Sequence, residues 1–401
     1  MSTTDLFTDP RLAARLAEEL AADARWRADA RWLAGTIELR HDHGSLTVRS
    51  IPCEPPQVAQ GAPEGGADFV VEAGADTWSS LLAGEADFLS GGPAGTVTTH
   101  GDPVATMHEL RTLHNTLLAL RRLAGTPTPA PSPAPEPTST EVRGRYVDVD
   151  GLRVHVEETG DGVPVLCLHA AGQDTVMYRH VLTGLADRFR VIAVDAPGHG
   201  KSLPPPGGRF TSTTELAAFA ERLIEVLELD LPVVLGCSMA GNTVLELGAR
   251  RPDAYRAIVS AEGAAHTPSL DEFTLDMITT HAAVVLEPFA RSLTGRRTPP
   301  DRAEEVVWQL CRAAPWIAQG DLTGYAAFDL RDRLADIAAP TLLLRGSDDW
   351  LVDAEKVAAT AAGIGDVEVV TLDGTGHYPM IENPVEFNAA VRAFLDRVLD
   401  R

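Results

Sequence analysis

Hydrophobic spacing divides the chain into two stretches of different rhythm. In residues 10–34, Leu12, Leu16 and Leu20 recur at every fourth position among Ala, Arg and Glu, which predicts an amphipathic helix. Thr36–Arg40 and Ser45–Arg49 alternate instead and flank Asp42-His43-Gly44, the pattern of a hairpin. A Pro/Gly-rich loop is expected over 52–66, a strand over Ala67–Glu72 and a short helix over Asp76–Gly84. A strand and turn over Gly95–Asp102 come next. A closing amphipathic helix over Pro103–Leu123 follows, with Met107, Leu110, Leu113, Leu117 and Leu120 at its apolar positions.

Beyond residue 145 strands and helices take turns. Arg145–Val149 and Leu152–Glu157 bracket Asp150-Gly151, a strong hairpin signal. Strands are then expected at Val163–Leu168, Arg190–Val194, Pro232–Gly236, Tyr255–Ser260, Pro340–Leu344 and Val367–Leu372. Helices are expected at 175–187, Thr213–Leu229, from Asn242, at Ala354–Ala362 and at Pro384–Leu399. An antiparallel start followed by such alternation implies an α/β domain, a mostly parallel sheet with helices on both faces. Between Glu262 and Pro340 lies an insertion with helical spacing at Leu275–Ile278, Ala282–Leu293, Ala303–Cys311 and Ala326–Leu334 and no clear strand. Its Met277, Phe289, Trp308 and Trp316 are expected mostly as core of this cap, with one or two lining an apolar pocket.

Between the two stretches, proline stands at every second position from Pro127 to Pro137. Such a run enters neither a helix nor a sheet interior and should form an extended, exposed spacer. The expected organisation is therefore an α+β domain over 1–125, a Pro-rich linker over 126–141 and an α/β domain over 142–401, with the helical cap at about 263–339.

Composition narrows the functional classes. A formal net charge of −23 argues against nucleic acid and anionic membrane surfaces as partners. No run reaches the length of a membrane span, and the N-terminus shows no basic and apolar signal segment. Cys53, Cys167, Cys237 and Cys311 are far apart and suit a reducing compartment, so a cytoplasmic location is expected. His41-Asp42-His43 has two metal-ligating side chains, but in a hairpin turn without Cys or Glu companions they are expected to be solvated. No metal site and no cofactor are expected.

The candidate chemistry starts at Pro232-Val-Val-Leu-Gly-Cys-Ser-Met-Ala-Gly241, a buried strand that turns sharply at Ser238 into a helix. A serine in that turn projects its Oγ above the sheet, over a helix N-terminus whose free N–H groups suit a developing oxyanion. A serine nucleophile also needs a base and an orienting acid on neighbouring strand ends. Asp349 lies three residues past Gly346 in Arg345-Gly-Ser-Asp-Asp-Trp, and His377 lies in Asp373-Gly-Thr-Gly-His-Tyr. Asp348, or Glu262 after the strand that precedes the insertion, are the alternative acids. Ala171, in His169-Ala-Ala-Gly172, and Met239 are the expected oxyanion donors through their backbone N–H groups. Cys237 should point into the fold, and His155, His169 and His199 are expected to be structural.

With those residues in hand, the region from about 145 to 401 resembles a capped α/β-hydrolase. It carries "LHAAG", "DAPGHGKS", "GCSMAG", "DLRDRL…PTLLLRGSDD" and "GTGHYPMIENP" in the order that family uses, Ser–Asp–His. Departures are Ala170 where Gly is usual and Ala240 inside the elbow. The resemblance implies a Ser238–His377–Asp349 triad and hydrolysis of an ester, thioester or lactone of a hydrophobic small molecule. The same machinery serves carbon–carbon bond hydrolases, cofactor-free haloperoxidase-like enzymes and non-hydrolytic binding or accessory proteins. Residues 10–123 resemble sterol-carrier protein type 2 through "ADFVVEAGADTWSSLLAG", "GTVTTHGD" and the closing helix, which implies room for a lipid or a role in association, with a homodimer left open.

Overall fold

The computed structural model describes residues 7–9, 11–89, 97–132, 141–267 and 270–399. It divides into two units, residues 1–129 with 281–292, and residues 130–280 with 293–401. Residues 133–140 of the expected spacer, and Gly95 and Thr96 of the expected strand, lie outside the described residues.

The first unit is built on a five-stranded sheet of β1 (Gly35–His41), β2 (Gly44–Ser50), β3 (Gln57–Gln60), β4 (Phe69–Glu72) and β5 (Thr98–His100), in the order β3-β2-β1-β4-β5. All its pairs are antiparallel except β1 with β4. Leu12, Leu16, Leu20, Ile37, Leu39 and Trp78 are completely buried and form its core with the helix Leu110–Ala124. The first helix is not continuous over 10–34. It ends at Ala22, and Asp23 caps a second helix, Ala24–Asp29, by accepting the Arg25 and Trp26 N–H groups. A side-chain cap in mid-sequence competes successfully with helical spacing. The closing helix divides likewise at Glu109, into Pro103–His108 and Leu110–Ala124. The loop expected over 52–66 contains the edge strand β3, whose side chains are largely exposed and show no apolar alternation. His41 is buried and stacked on Phe7, not solvated, because it closes the inward face of β1, whereas His43 is exposed.

The second unit carries β6 (Arg143–Val149), β7 (Leu152–Thr159), β8 (Val163–Leu168), β9 (Phe189–Val194), β10 (Val233–Cys237), β11 (Ala257–Ala261), β12 (Thr341–Gly346) and β13 (Val367–Leu372). The sheet order is β13-β12-β11-β10-β8-β9-β7-β6, antiparallel at β6–β7 and β7–β9 and parallel elsewhere. This is the α/β-hydrolase fold, with β10 near the middle of the sheet and every residue of β10 and β11 buried. The insertion differs from its expected helices. Glu272–Ser292 is two helical segments that meet at a kink at the non-helical His281, and it is followed by Pro300–Leu310, Pro315–Ala326 and a 3₁₀ segment, Arg331–Asp336. Trp308 and Trp316 are not core: they are 57% and 52% exposed, and the Arg312 guanidinium covers the Trp308 ring. Met277 is buried and Phe289 half-buried.

Candidate active site

The chain leaves β10 at Cys237 and enters the helix Met239–Arg250 through one residue, Ser238, at φ +56°. That is a left-handed conformation, costly for a residue with a side chain and common where function holds it in place. Two glycines make the turn sterically feasible. A Cβ on Gly236 would sit 2.1 Å from the Ala240 carbonyl oxygen, and one on Gly241 would sit 2.7 Å from that of Ala261. Ala240, the departure from the family motif, is fully buried without disturbing the turn.

The loops after β12 and β13 bring the two partners. His377 Nε2 is 2.7 Å from the Ser238 Oγ, and His377 Nδ1 is 2.6 Å from the Asp349 Oδ2. The tautomer that satisfies both contacts has Nδ1–H donating to Asp349 and the serine hydroxyl donating to Nε2. Ser238, His377 and Asp349 are all buried. Burial alone would raise the Asp349 pKa, but the imidazole, with further hydrogen bonds including the Leu351 N–H, brings it down to about 2. The alternative acid Asp348 is engaged elsewhere, accepting the Arg296 N–H at 2.8 Å and pairing with the Arg296 guanidinium. Cys237 is completely buried, its thiol directed to the His377 carbonyl, and burial pushes its pKa well up, so no thiolate is available there.

The Ala171 and Met239 N–H groups have no acceptor among the described residues. Their neighbours are held fast. The Gly172 N–H donates to Asp321 Oδ2 at 2.8 Å, and the same oxygen lies 2.8 Å from His199 Nε2. Burial opposes protonation of His199, yet the Asp321 carboxylate raises its pKa overall. His169 is a structural residue: its Nδ1 lies 2.9 Å from the Ala170 carbonyl, and its Nε2 accepts the Ala196 N–H. His155 faces Asp195 at 3.2 Å. Beside Met239, a small cleft lined by Ala196, Phe210, Leu216, His199 and Asp321 has about 10 Å³ of free space, room for one water.

Two residues that hold this site in place are not among the candidates read from the sequence. Glu382 is buried and accepts the N–H groups of Gly295, Gly376 and Tyr378, so one carboxylate ties the histidine loop to the cap. Its place in "GHYPMIE", five residues after His377, is a signal that could have been weighed. Asp321, on the cap helix Pro315–Ala326, reaches the His169–Gly172 loop only through tertiary folding and leaves no such trace. Glu262, Asp349 and His377 are the one group of potential metal ligands found among the described residues, and the Asp349 and His377 atoms in it are already hydrogen-bonded to one another.

Comparison with known proteins agrees with this architecture. The chain is 29% identical over 264 residues to a pimeloyl-[acyl-carrier protein] methyl ester esterase of Nitrosospira multiformis, covering 60% of this chain and 97% of that protein. It is 27% identical to a 2-(acetamidomethylene)succinate hydrolase of Mesorhizobium japonicum, over 63% of this chain and 95% of that one. Among solved structures, a thermophilic esterase from Thermogutta terrifontis superposes with a TM-score of 0.58 at 25% identity, over 64% of this chain and 99% of its own. Residues 165–390, more than half of the sequence, match the alpha/beta hydrolase family, and the chain belongs to that family as one of its hydrolase enzymes.

Proposed function

We propose that the protein is a serine hydrolase that cleaves an ester, thioester or lactone of a hydrophobic small molecule through an acyl-enzyme. The observation that carries this reading is the unbroken chain of contacts Ser238 Oγ, His377 and Asp349, with steps of 2.7 and 2.6 Å. His377 Nε2 takes the hydroxyl proton as Ser238 attacks the carbonyl carbon. Asp349, ionised at any neutral pH, holds Nδ1–H and stabilises the imidazolium. The Ala171 and Met239 N–H groups receive the oxyanion, each a contribution of about 3–4 kcal/mol in comparable sites. The imidazolium then protonates the leaving group, and a water activated by the same nitrogen releases the acid. The apolar side chains buried in the cap, among them Ile278, Val306 and Ile317, support a hydrophobic substrate.

The test is labelling by a fluorophosphonate, expected on the wild-type chain and absent in Ser238→Ala. It is joined by turnover of para-nitrophenyl esters of graded chain length. Esterase activity that survives in Ser238→Ala would refute the reading. For the first unit we propose a sterol-carrier-type identity, supported by its order of hairpin, strand, helix, strand and closing helices. Binding of a fluorescent fatty acid to the full-length chain tests it, and no saturable binding would remove it.

A further inference from the structure

The buried cluster around His377 has a fourth member. Glu262 follows β11, is completely buried, and has φ +47°, another left-handed residue with a long side chain. This turn directs the carboxyl group to the loop after β12, where Oε1 accepts the Gly346 N–H. Oε2 is buried with no donor among the described residues. One ligand atom each of Glu262, Asp349 and His377 lies within 4.8 Å of the others. Asp349 already accepts from His377 Nδ1–H and from the Leu351 N–H. Two ionised carboxylates so close in a dry interior repel strongly. A single proton between them converts that repulsion into an O–H···O bond and satisfies Oε2.

We propose that Glu262 is an un-ionised carboxylic acid that donates its O–H to Asp349, positioning the acid of the triad, and that it takes over that acid's role when Asp349 is removed. The proposal rests on the triad reading above for its catalytic half, while the protonation of Glu262 rests on the buried cluster itself and not on that reading. The groups facing Glu262 are Asp349 and His377 on the loops after β12 and β13, Arg345 on β12, Cys237 on β10 and Tyr325 on the helix Pro315–Ala326. Burial, and next the Asp349 charge, raise the Glu262 pKa well above the usual carboxylate range, and Arg345 opposes this more weakly. Asp349 moves the opposite way, so the shared proton belongs to Glu262. Glu262 is then a positioning residue. With Asp349 gone it loses its like-charged neighbour, ionises, and can accept His377 Nδ1–H in its place.

Two measurements on the full chain test this. Infrared spectroscopy of the wild-type protein at pH 8 should show the carbonyl stretch of an un-ionised carboxylic acid that Glu262→Gln abolishes. Titrating the wild-type band from pH 6 to 9 gives the same answer without relying on the variant's folding. In steady-state ester hydrolysis, Asp349→Ala should lose about 100-fold in kcat, well short of the roughly 10⁴-fold loss usual when a triad acid is disabled. Adding Glu262→Gln to Asp349→Ala should cost at least a further tenfold or so. A wild-type protein with no such band at pH 8, or equal kcat for the single and double variants, overturns the proposal. Full activity in Ser238→Ala brings down the triad reading instead and leaves the infrared band where it was.

Discussion

Each unit buries aspartate against histidine, and one pair taken from each differs from the other in what surrounds the carboxylate. In the first unit Asp87 Oδ2 lies 3.2 Å from His114 Nδ1 and 3.6 Å from the Arg121 guanidinium. Burial would raise the Asp87 pKa, but the imidazole and the guanidinium together lower it. His114 and Arg121 both sit within the helix Leu110–Ala124, so the carboxylate is an anchor for one helix. In the second unit the histidine stands on a loop between Gly376 and Tyr378, and the group behind the aspartate is the acid Glu262 rather than a cation. Asp349 thus keeps its negative charge for the imidazole, whose far nitrogen meets a hydroxyl. On the proposed reading, an Asp–His pair becomes chemistry through its third and fourth partners.

The sharpest way to break this comparison is to delete both histidines in turn. His377→Ala should reduce kcat for para-nitrophenyl acetate by about 10⁴-fold or more, with little change in thermal midpoint. His114→Ala should leave kcat as it is and cost about 3 kcal/mol in urea unfolding, since it strips a partner from a buried carboxylate. Equal catalytic losses would erase the distinction.

Glu382→Ala comes next. It leaves three buried N–H groups without their acceptor and should cost about 3–5 kcal/mol, again by urea unfolding. It should also lower kcat about tenfold as the His377 loop loosens, and unchanged kcat would show that the loop holds without the carboxylate.

A smaller effect separates Glu262 from ordinary acids. Its folded pKa is raised, so the native state binds a proton that the unfolded chain has lost above pH ~4.3. Its contribution is full below that pH and declines as pH rises toward the folded pKa, by about 1.4 kcal/mol per pH unit. Glu262→Gln should therefore flatten the fall of stability between pH 5 and pH 8, measured as unfolding free energy at each pH. Parallel curves for the two proteins would mean that Glu262 is ionised. Asp349, with its pKa lowered to about 2, contributes in the opposite sense: its stabilisation is full above about pH 4 and is lost only as pH falls below that, outside this window.

The smallest effect is expected from Ala240→Gly, which restores the family motif. It should cost less than about 1 kcal/mol, the difference in helix propensity, and shift kcat/KM by no more than about threefold.

The strand–turn–helix at Ser238 and the loop bearing Asp349 were legible because the fully buried strands β10 and β12 write themselves as short apolar runs with a glycine at or next to the end. The His377 loop follows the only partly buried β13 and was legible from its own glycines at 374 and 376. Ser238 could be placed to the residue since its turn admits only small neighbours at 236 and 241. The breaks at Asp23 and Glu109 were not legible from spacing, which continues across both. At Asp23 a side-chain cap, worth about 1 kcal/mol, is enough to end a helix that periodicity alone would extend. The helix Pro315–Ala326 escaped because its apolar residues are spread around the axis rather than gathered on one side. Trp308 and Trp316 misled for a related reason: size suggests burial, but a guanidinium stacked on one ring supplies contact at the surface. Asp321 and Glu382 act across 149 and 87 residues of sequence, distances over which local pattern carries no information.

The helix Glu272–Ser292 changes allegiance at His281, and residues 281–292 belong with the first unit, where Glu287 meets Arg111 and His281 meets His108. During synthesis the segment that completes this unit therefore leaves the ribosome about 150 residues after Pro129. At ordinary elongation rates the delay is roughly 8–30 s, long compared with the folding of a small domain. The amino-terminal unit starts first and finishes late. A pulse of protease on stalled chains ending before and after residue 292 would time that last step.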